Sequence, residues 1–332
     1  MFEQSKNVLV TGGAGYIGSH VAKSLAAKGY MPVTYDNLIN GHRWAVQWGP
    51  LIEGDINDRR KLVDTLRRYE ISAVLHFAAF AYVGESMVSP ERYFDNNVIG
   101  SLVLLNAALE AGVRHIVFSS SCVTYGSPDR MPITEDTPQS PVNPYGESKL
   151  FIERALHWYS VAHPLSWVAL RYFNAAGADP EGVLGEMHSP ETHLIPVVLD
   201  AVLGGKPLDV YGDDYPTADG TCVRDYVHVT DLADAHVRAL DYLQKGGASV
   251  ALNLGTGDGH SVREVIHAVQ SVTGREVPHR IAQRRPGDPA ILVADPRVAE
   301  KCLDWRPQYS TLQSIVSSAW NWQSKHVKKH LV

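Results

Sequence analysis

The sequence predicts an α/β fold built on a doubly wound parallel sheet. In the first half of the chain, short apolar runs alternate with longer segments whose apolar residues recur at helical spacing. The runs predict strands at residues 8–11, 31–35, 74–77, 115–119 and 167–172. The segments between them predict helices at residues 19–28, 59–68, 97–111 and 147–162. This alternation, with a glycine-rich loop directly after the first strand, is typical of a Rossmann-like architecture.

The glycine-rich loop predicts a dinucleotide site. Residues 11–18 read TGGAGYIG and place Gly12, Gly15 and Gly18 at GxxGxxG spacing where a strand gives way to a helix. Glycines let the backbone turn tightly and approach a pyrophosphate, whose charge is stabilised by the free N–H groups of the helix N-terminus. Asp36 ends the second predicted strand, where a carboxylate accepts from ribose hydroxyls and repels a 2′-phosphate. The pattern therefore favours NAD over NADP.

Length and composition predict two lobes of unequal size. A chain of 332 residues, 45% apolar and 20% charged, can bury one large core and a smaller one. The second half contains loops rich in Gly, Pro and Asp, as in residues 177–185 and 211–220. We expect an NAD-binding Rossmann domain over residues 1–180, with residues 224–257 contributing to it. Residues 181–332 would form mainly a smaller substrate-binding lobe.

Charge and cysteine content exclude several classes of protein. The net charge is −6 and the basic residues are scattered along most of the chain, so neither nucleic acid nor an anionic membrane is an expected partner. The apolar run at residues 72–83 is interrupted by His76 and is shorter than the roughly 20 residues of a membrane span. Cys122, Cys222 and Cys302 lack CxxC spacing, which argues against disulfides and a structural zinc site. We expect no metal and a cytoplasmic location.

Three residues form a candidate catalytic group. Tyr145 and Lys149 are four residues apart and therefore share one face of a helix that is expected to begin near Pro144. A nearby ammonium and a positive nicotinamide both favour phenolate, which would lower the tyrosine pKa from about 10 toward neutrality and make it a base for an alcohol proton. Ser121 ends the preceding strand, from where its hydroxyl can reach the same alcohol. Ser119 is expected to have a structural or cofactor-contacting role.

Longer motifs resemble those of the extended short-chain dehydrogenase/reductase superfamily. They are TGGAGYIG, HFAAFAYVGES, YFDNNVIG, FSSSCVTYG, YGESK and LRYFNAAG. Within that superfamily the chain most resembles the UDP-glucose 4-epimerase family, through DGTCVRDYVHVTDLADAH at residues 219–236 and RRPGD at residues 284–288. The resemblance extends from residue 8 to about residue 305. It covers nearly the whole chain and is far more specific than a glycine loop alone.

The resemblance implies a set of contacts to each ligand. Besides the glycines, cofactor contacts are expected from Tyr16, Ile17, Asp36, Asn37, Asp55, Ile56, Phe77, Ala78, Ala79, Asn97, Ser119, Lys149 and Phe173. Contacts to a UDP-sugar are expected from Ser121, Tyr145, Asn174, His193, Leu194, Tyr211, Arg224, Arg285, Asp288 and Leu292. Chemistry agrees in part, because Arg224 and Arg285 suit a diphosphate and Asp288 suits a ribose hydroxyl. Each of these three side chains could instead belong to a surface ion pair.

The resemblance also implies a reaction and an assembly. Tyr145 would remove the proton of the sugar C4 hydroxyl while NAD takes the C4 hydride. The 4-keto sugar would then turn over and receive the hydride on its other face, which interconverts UDP-glucose and UDP-galactose. Members of the family commonly pair through two long helices, for which residues 97–111 and 147–162 are the candidates, so a homodimer is expected.

Three positions depart from the pattern of the enteric-type members. Ala81 replaces a lysine near the cofactor phosphates, which predicts weaker retention of NAD. His193 replaces an asparagine near the substrate diphosphate, so the charge there would vary with pH. Leu292 aligns with a bulky tyrosine of members restricted to hexoses without an N-acetyl group. The smaller leucine predicts a pocket that admits larger sugars.

Other functions remain as alternatives of unequal weight. A sugar-nucleotide 4,6-dehydratase needs an acidic pair after the serine or threonine, where this chain has Cys122 and Val123. A non-catalytic NAD-sensing protein would not require Tyr145 and Lys149. Epimerisation of UDP-xylose and UDP-arabinose, or of UDP-N-acetylglucosamine, uses the same catalytic residues and stays open.

Overall fold

A computed structural model describes residues 5–285 and 287–326. In this part of the chain, seven parallel strands form the central sheet. They are β1 (Asn7–Thr11), β2 (Met31–Asp36), β3 (Leu51–Glu53), β4 (Ala73–His76), β5 (His115–Ser121), β6 (Ser166–Tyr172) and β10 (Val250–Leu254). Across the sheet the order is β10-β6-β5-β4-β1-β2-β3, so the direction of winding reverses beside β1. The predicted doubly wound sheet is confirmed, and such a reversal opens a ligand crevice at the carboxyl ends of the strands.

Helices cover both faces of this sheet and surround the smaller lobe. They are α1 (Tyr16–Ala27), α2 (Arg59–Arg68), α3 (Val83–Val88), α4 (Pro90–Tyr93), α5 (Gly100–Glu110), α6 (Pro144–Ala162), α7 (Leu194–Val202), α8 (Val229–Gln244), α9 (Val262–Thr273), α10 (Arg297–Leu303) and α11 (Leu312–His326). None of these helices, within the residues described, is both long and apolar enough to cross a membrane.

Three helix boundaries differ from the sequence prediction. The helix expected at residues 97–111 is interrupted, because Phe94–Ile99 forms a π-helical segment before α5. In this segment the Asn97 side chain is buried and forms hydrogen bonds with the backbone of Phe80. These bonds require Asn97 to face inward, which the π-helical turn allows. Helix α1 begins earlier than predicted, since Gly15 is its N-cap. Helix α6 begins three residues before the segment 147–162, at Pro144, where the helix that carries Tyr145 was expected to begin.

Alternating side chains of the strands build two cores. In β1, Val8 and Val10 face the helices α1, α8 and α10, whereas Leu9 faces α2, α5 and α6. Both faces of a central parallel strand are buried, which explains the continuous apolar runs in the sequence. The layers leave the carboxyl ends of β1, β4, β5 and β6 as the edge from which loops reach a ligand.

The second half of the chain adds two small sheets and a third core. The small strands are β7 (Asn174–Ala176), β8 (Leu208–Tyr211), β9 (Val223–His228), β11 (Gly259–Ser261), β12 (His279–Ala282) and β13 (Ile291–Leu292). Strand β9 pairs with β7, β11 and β13, and β8 pairs with β12. Helices α7, α9 and α11 enclose the third core.

The segment from 224 to 257 is divided between the two parts. Helix α8 packs against α1, and β10 pairs with β6 in the central sheet. Strand β9, which was also expected to pack back on that sheet, lies in the smaller one. In the smaller sheet its adjacent polar residues find partners, because Arg224 pairs with Asp288 and the Asp225 carboxylate accepts from the Thr256 nitrogen.

Candidate active site

The glycine loop between β1 and α1 has one crowded side and one open side. Gly12 has φ +71°, and a Cβ there would lie 2.6 Å from the Ala78 nitrogen. A Cβ on Gly18 would lie 2.3 Å from the Gly12 carbonyl oxygen, so both positions require glycine for packing. A Cβ on Gly15 would meet only that oxygen, at 3.3 Å. The face of Gly15 is therefore open toward the crevice, beside the free N–H groups of the first turn of α1.

Asp36 is held rigidly at the end of β2. Its side chain is buried, and its two oxygens accept from the Ala14 nitrogen at 3.0 Å and the Leu38 nitrogen at 2.8 Å. Burial raises the pKa of this carboxyl, although the two backbone hydrogen bonds oppose the rise. Next to it, the Asn37 amide donates to Asp55 at 3.0 Å. These contacts bring together the residues expected at the adenosine end of the cofactor.

The other expected cofactor residues follow the same edge of the sheet. Half-buried or buried positions there are Ile17 in α1, Ile56 after β3, Phe77, Ala78 and Ala79 after β4, Ser119 in β5 and Phe173 after β6. Two expected residues bond to the protein instead. The Tyr16 hydroxyl donates to the Gly177 carbonyl at 2.6 Å. The Asn97 amide bonds to both backbone groups of Phe80 and to Ser148, so Asn97 shapes the edge and offers it no free amide.

Helix α6 and strand β5 bring the three candidate catalytic residues to this edge. Asn143 caps α6 by accepting from the Gly146 nitrogen at 2.8 Å, and this fixes Tyr145 in the first turn. The Lys149 ammonium follows one turn later and lies 5.8 Å from the centre of the Tyr145 ring. It donates to the Ser119 carbonyl at 2.8 Å, which ties the helix to the strand that carries Ser121.

Burial dominates the electrostatics of this group. It lowers the pKa of Lys149 to about 7, although the charge of Glu153 opposes the change. It raises the pKa of Tyr145 to about 12, against a hydrogen bond to Ser121 that lowers it. The protein groups alone therefore do not lower the pKa of Tyr145 as expected, because Lys149 bonds to a carbonyl and burial disfavours its positive charge. That lowering depends on the positive charge of a nicotinamide ring.

Five of the residues expected to contact the sugar nucleotide lie in an ion pair, in a stacked pair and in an apolar cluster. Arg224 forms an ion pair with Asp288, and the Arg285 guanidinium stacks 4.0 Å from the centre of the Tyr211 ring. Leu292 lies opposite Arg224 in the β9/β13 pairing. It packs against the small cluster of Cys122, Tyr125, Ile133, Phe173 and Ala294. Because Cys122 adjoins Ser121, Leu292 lies close to the catalytic group.

Asn174 lies in β7 beside β9, and His193 and Leu194 lie at the start of α7. The Asn174 amide donates to the Asp225 carbonyl at 2.9 Å, and Leu194 begins α7. His193 bonds through Nδ1 to Glu186, so only its Nε2 could donate to a diphosphate. Burial alone would lower the pKa of His193, but the neighbouring carboxylates outweigh burial and raise it.

Comparison with known proteins decides the family. The model of the NAD dependent epimerase/dehydratase family matches residues 8–255. The UDP-glucose 4-epimerase of Rhizobium meliloti (strain 1021) is 56% identical over 323 residues, which are 97% of this chain and 98% of that protein. The chain belongs to the UDP-glucose 4-epimerase family. The resemblance predicted from the motifs is thus confirmed.

Solved structures of this epimerase family match the fold closely. The structure of UDP-glucose 4-epimerase from Brucella ovis in complex with NAD matches with a TM-score of 0.93 and 54% identity, covering 95% of this chain and 97% of that one. A UDP-glucose-4-epimerase from Stenotrophomonas maltophila, with bound NAD and formylated UDP-arabinopyranose, has a TM-score of 0.95 and 42% identity, covering 97% and 99%.

The site of this family member fits NAD. The open face of Gly15 offers backbone N–H groups to a pyrophosphate, and the fixed carboxylate of Asp36 offers acceptors to ribose hydroxyls. A Cβ on Gly15 would meet only the Gly12 oxygen, so this position leaves room beside the loop. NAD is the cofactor of this epimerase family, in agreement with the sequence prediction.

Sequence reasoning missed a buried ion pair behind the catalytic group. The Glu153 carboxylate lies one turn after Lys149 on α6 and accepts from the Arg171 guanidinium of β6 at distances from 2.6 to 3.2 Å. Arg171 also donates to the Tyr125 hydroxyl at 2.8 Å, and Ser120 donates to Glu153. One signal was available, since an arginine within an otherwise apolar strand needs a buried acidic partner.

Proposed function

We propose that this chain is a UDP-glucose 4-epimerase, which interconverts UDP-glucose and UDP-galactose by transient oxidation at C4. The observation that carries the proposal is the meeting of Tyr145, Lys149 and Ser121 at a cofactor edge that fits NAD. Relatives that bear this name match the chain over nearly its whole length. A simple dehydrogenase would release reduced cofactor, whereas an epimerase returns the hydride to the same substrate and so needs no second redox partner.

Each catalytic residue has a defined task in this proposal. Tyr145, as phenolate, accepts the proton of the C4 hydroxyl and later returns it to the alkoxide. Ser121 holds the same oxygen by a hydrogen bond and so fixes the direction of the C4–H bond. The Lys149 ammonium donates to the Ser119 carbonyl and so fixes α6 against β5, while the positive nicotinamide ring of bound NAD would favour phenolate at Tyr145. Bound NAD supplies the acceptor and donor of the C4 hydride.

The nucleotide side supplies binding and specificity. Arg285 is the proposed diphosphate ligand. Its guanidinium lies in an exposed loop, and the Tyr211 ring packs against its planar face and so orients it. Arg224 is preordered by Asp288 and becomes available to the diphosphate when Asp288 accepts from a ribose hydroxyl. His193 offers Nε2 from the N-cap of α7.

Leu292 supports wider sugar selectivity as a second candidate function. This half-buried side chain faces the Cys122 and Phe173 cluster beside Ser121, and it leaves more volume than a tyrosine would. UDP-N-acetylglucosamine would be a substrate if that volume accepts the acetamido group. A pentose nucleotide is also a candidate, since a similar epimerase binds formylated UDP-arabinopyranose.

The test is to incubate the purified protein alone with UDP-galactose, UDP-N-acetylgalactosamine and UDP-xylose, with and without added NAD. The anomeric signals are followed by NMR. We expect the C4 epimer of UDP-galactose to appear without stoichiometric NADH, and the initial rates to rank the three sugars. Accumulation of a 4-keto-6-deoxy product, or no change in any sugar, would contradict the proposal.

We further propose that the protein is a cytoplasmic homodimer. Large apolar side chains are exposed along the α5/α6 side, with Ile99 at 50%, Phe151 at 50% and Trp158 at 67% of full exposure. A second copy packing these helices would bury them. Light scattering should give twice the chain mass for the wild type and a smaller mass for Trp158→Glu. Val298→Glu, at an exposed position on α10, is the matched control and should leave the mass unchanged.

The cytoplasmic location is supported by the free cysteines Cys122, Cys222 and Cys302, which suit a reducing compartment. Fractionation of cells with an antibody against the protein tests this part. Recovery in a secreted or membrane fraction would refute it.

A further inference from the structure

Four side chains of types that can bind a metal ion lie close together in the loop that leads into α7. Glu186, His188, Glu191 and His193 lie within eight consecutive positions, and their donor atoms all lie within 4.8 Å of one another. The three cysteines have no CxxC spacing and no histidine-rich partner pattern, so no metal was expected, and that expectation did not consider these four residues together. Neither the catalytic group nor the cofactor edge uses Glu186, His188 or Glu191.

Distances within this cluster match those between ligands of one metal ion. The His188 Nδ1 atom lies 3.1 Å from Glu186 Oε1 and 3.5 Å from Glu191 Oε2. The His193 Nδ1 atom lies 3.5 Å from Glu191 Oε1 and also forms a hydrogen bond to Glu186 Oε1, which a bound ion would have to replace. Two ligands of a tetrahedral zinc ion, each about 2.1 Å from the metal, are about 3.4 Å apart. The four side chains therefore need only small movements to surround one ion.

The polar atoms of the cluster are incompletely satisfied by the protein. His188 Nδ1 is buried, yet among the described residues it has no hydrogen-bond partner of acceptable geometry. Glu186 has only 5% of its side chain exposed, so its charge is largely removed from water. A divalent cation would satisfy the His188 nitrogen, and the charges of Glu186 and Glu191 would balance its two positive charges.

The backbone around the cluster is already fixed. Gly185 packs against the Trp322 ring so closely that a Cβ would lie 2.2 Å from it. The Trp322 indole donates to the Glu186 carbonyl at 3.2 Å, and the Met187 carbonyl contacts His42 Nε2 at 2.9 Å. Such fixed supports preorganise ligands and favour specific binding over chance surface association.

We propose that Glu186, His188, Glu191 and His193 bind one divalent transition-metal ion, of which Zn²⁺ is the best match. Imidazole and carboxylate donors suit Zn²⁺, whereas Mg²⁺ prefers oxygen ligands in an octahedral arrangement. The half-exposed His193 gives the ion access from solvent. The ion would fix this loop beside Tyr16, whose ring centre lies 6.4 Å from that of His188, and so beside the cofactor edge.

The first experiment measures metal binding and not activity, so its outcome is independent of the proposed epimerase function. Protein purified with its cofactor is treated with a chelator and then titrated with Zn²⁺ against a competing zinc dye. Mg²⁺ serves as the hard-cation comparison. The variants are His188→Ala and Glu186→Gln. His163→Ala, which removes an exposed histidine at the end of α6, is the matched control.

We expect the wild type and His163→Ala to bind one Zn²⁺ per chain, and Mg²⁺ to have no effect. His188→Ala and Glu186→Gln should bind Zn²⁺ at least about tenfold more weakly, the lower limit found for loss of outer-shell partners. Circular dichroism verifies folding, and if Glu186→Gln does not fold, His188→Ala carries the test. Affinity that is equal in His188→Ala and the wild type, or no saturable binding in the wild type, would overturn the proposal. Anomalous diffraction at the zinc edge should place the ion between these four side chains, and an ion located elsewhere would also refute it.

Discussion

Gly15→Ala should weaken NAD binding without weakening the fold. A Cβ at this position meets only the Gly12 carbonyl oxygen at 3.3 Å, and Gly15 is in an extended conformation with φ −84° that alanine adopts freely. The added methyl group therefore projects into the space expected for the pyrophosphate. Overpacking of this kind costs about 1–3 kcal/mol. The dissociation constant for NAD should rise by about 5- to 150-fold.

Two other glycine substitutions separate packing from binding. In Gly18→Ala the new Cβ would lie 2.3 Å from the Gly12 oxygen, so the backbone must shift, and we expect the free energy of unfolding to fall by about 1–3 kcal/mol. Gly84→Ala is the matched control, because a Cβ there meets nothing within 4 Å and lies in α3. It should leave NAD affinity unchanged and raise stability by up to roughly 1 kcal/mol.

Both quantities can be measured on nucleotide-free protein. Urea unfolding gives the free energy of unfolding, and quenching of tryptophan fluorescence on titration with NAD gives the dissociation constant. Gly15→Ala should change only the second quantity, and Gly18→Ala should change the first. If Gly15→Ala unfolds at lower urea concentration while binding NAD like the wild type, the open face of Gly15 has no ligand and the predicted pyrophosphate contact is refuted.

Three further substitutions test the catalytic group and its support. Tyr145→Phe should retain NAD and lower the turnover number by about 10²- to 10⁴-fold in the NMR assay, and undiminished turnover would exclude Tyr145 as the base. Lys149→Met should abolish a rise of wild-type stability with pH. The pKa of Lys149 is about 7 in the folded protein and 10.5 in its ordinary state, so the unfolded chain binds more protons between these two pH values. The free energy of unfolding of the wild type therefore increases with pH across that window. Urea unfolding at about pH 7 and about pH 9 measures the slope, and an equal slope in the variant would contradict the assignment. Glu153→Gln leaves the buried Arg171 charge without its partner and should lower the free energy of unfolding by about 3–5 kcal/mol. The control Glu110→Gln, at an exposed ion pair, should lower it by less than about 1 kcal/mol. Similar losses in the two variants would mean that burial does not determine the cost of losing the partner.

The sequence predicted the central sheet well because its signals are local. Each of the five predicted strands lies within one or two residues of an observed strand, since an apolar run between turns has few other solutions. The prediction was wrong where a tertiary contact overrides local pattern. The π-helical segment before α5 depends on the contact of Asn97 with Phe80, which is distant in sequence. No local spacing indicates such a contact.

The candidate site was predicted unevenly for the same reason. Glycine spacing and the Tyr145 to Lys149 spacing describe one loop and one helix face, and such short-range geometry can be derived from a sequence. The raised pKa of Tyr145 and the pairing of Arg224 with Asp288 depend on burial and on contacts across the fold. The residue types therefore indicated which chemistry is possible. The folded structure was needed to show how burial shifts the pKa of Tyr145 and which charged side chains pair with each other.

In the proposed function, the reaction and the sugar selectivity come from different parts of the fold. Tyr145 and Ser121 belong to α6 and β5 of the central sheet, whose position the whole core determines. Leu292 belongs to β13, a two-residue strand that pairs with β9 at the edge of the smaller sheet. Because β9 runs directly into α8, which packs on α1, the sugar side is attached firmly to the sheet although its own strand is short. A substitution at Leu292 can therefore change the pocket without moving the catalytic group, and this is why the sequence indicates the reaction more closely than the sugar.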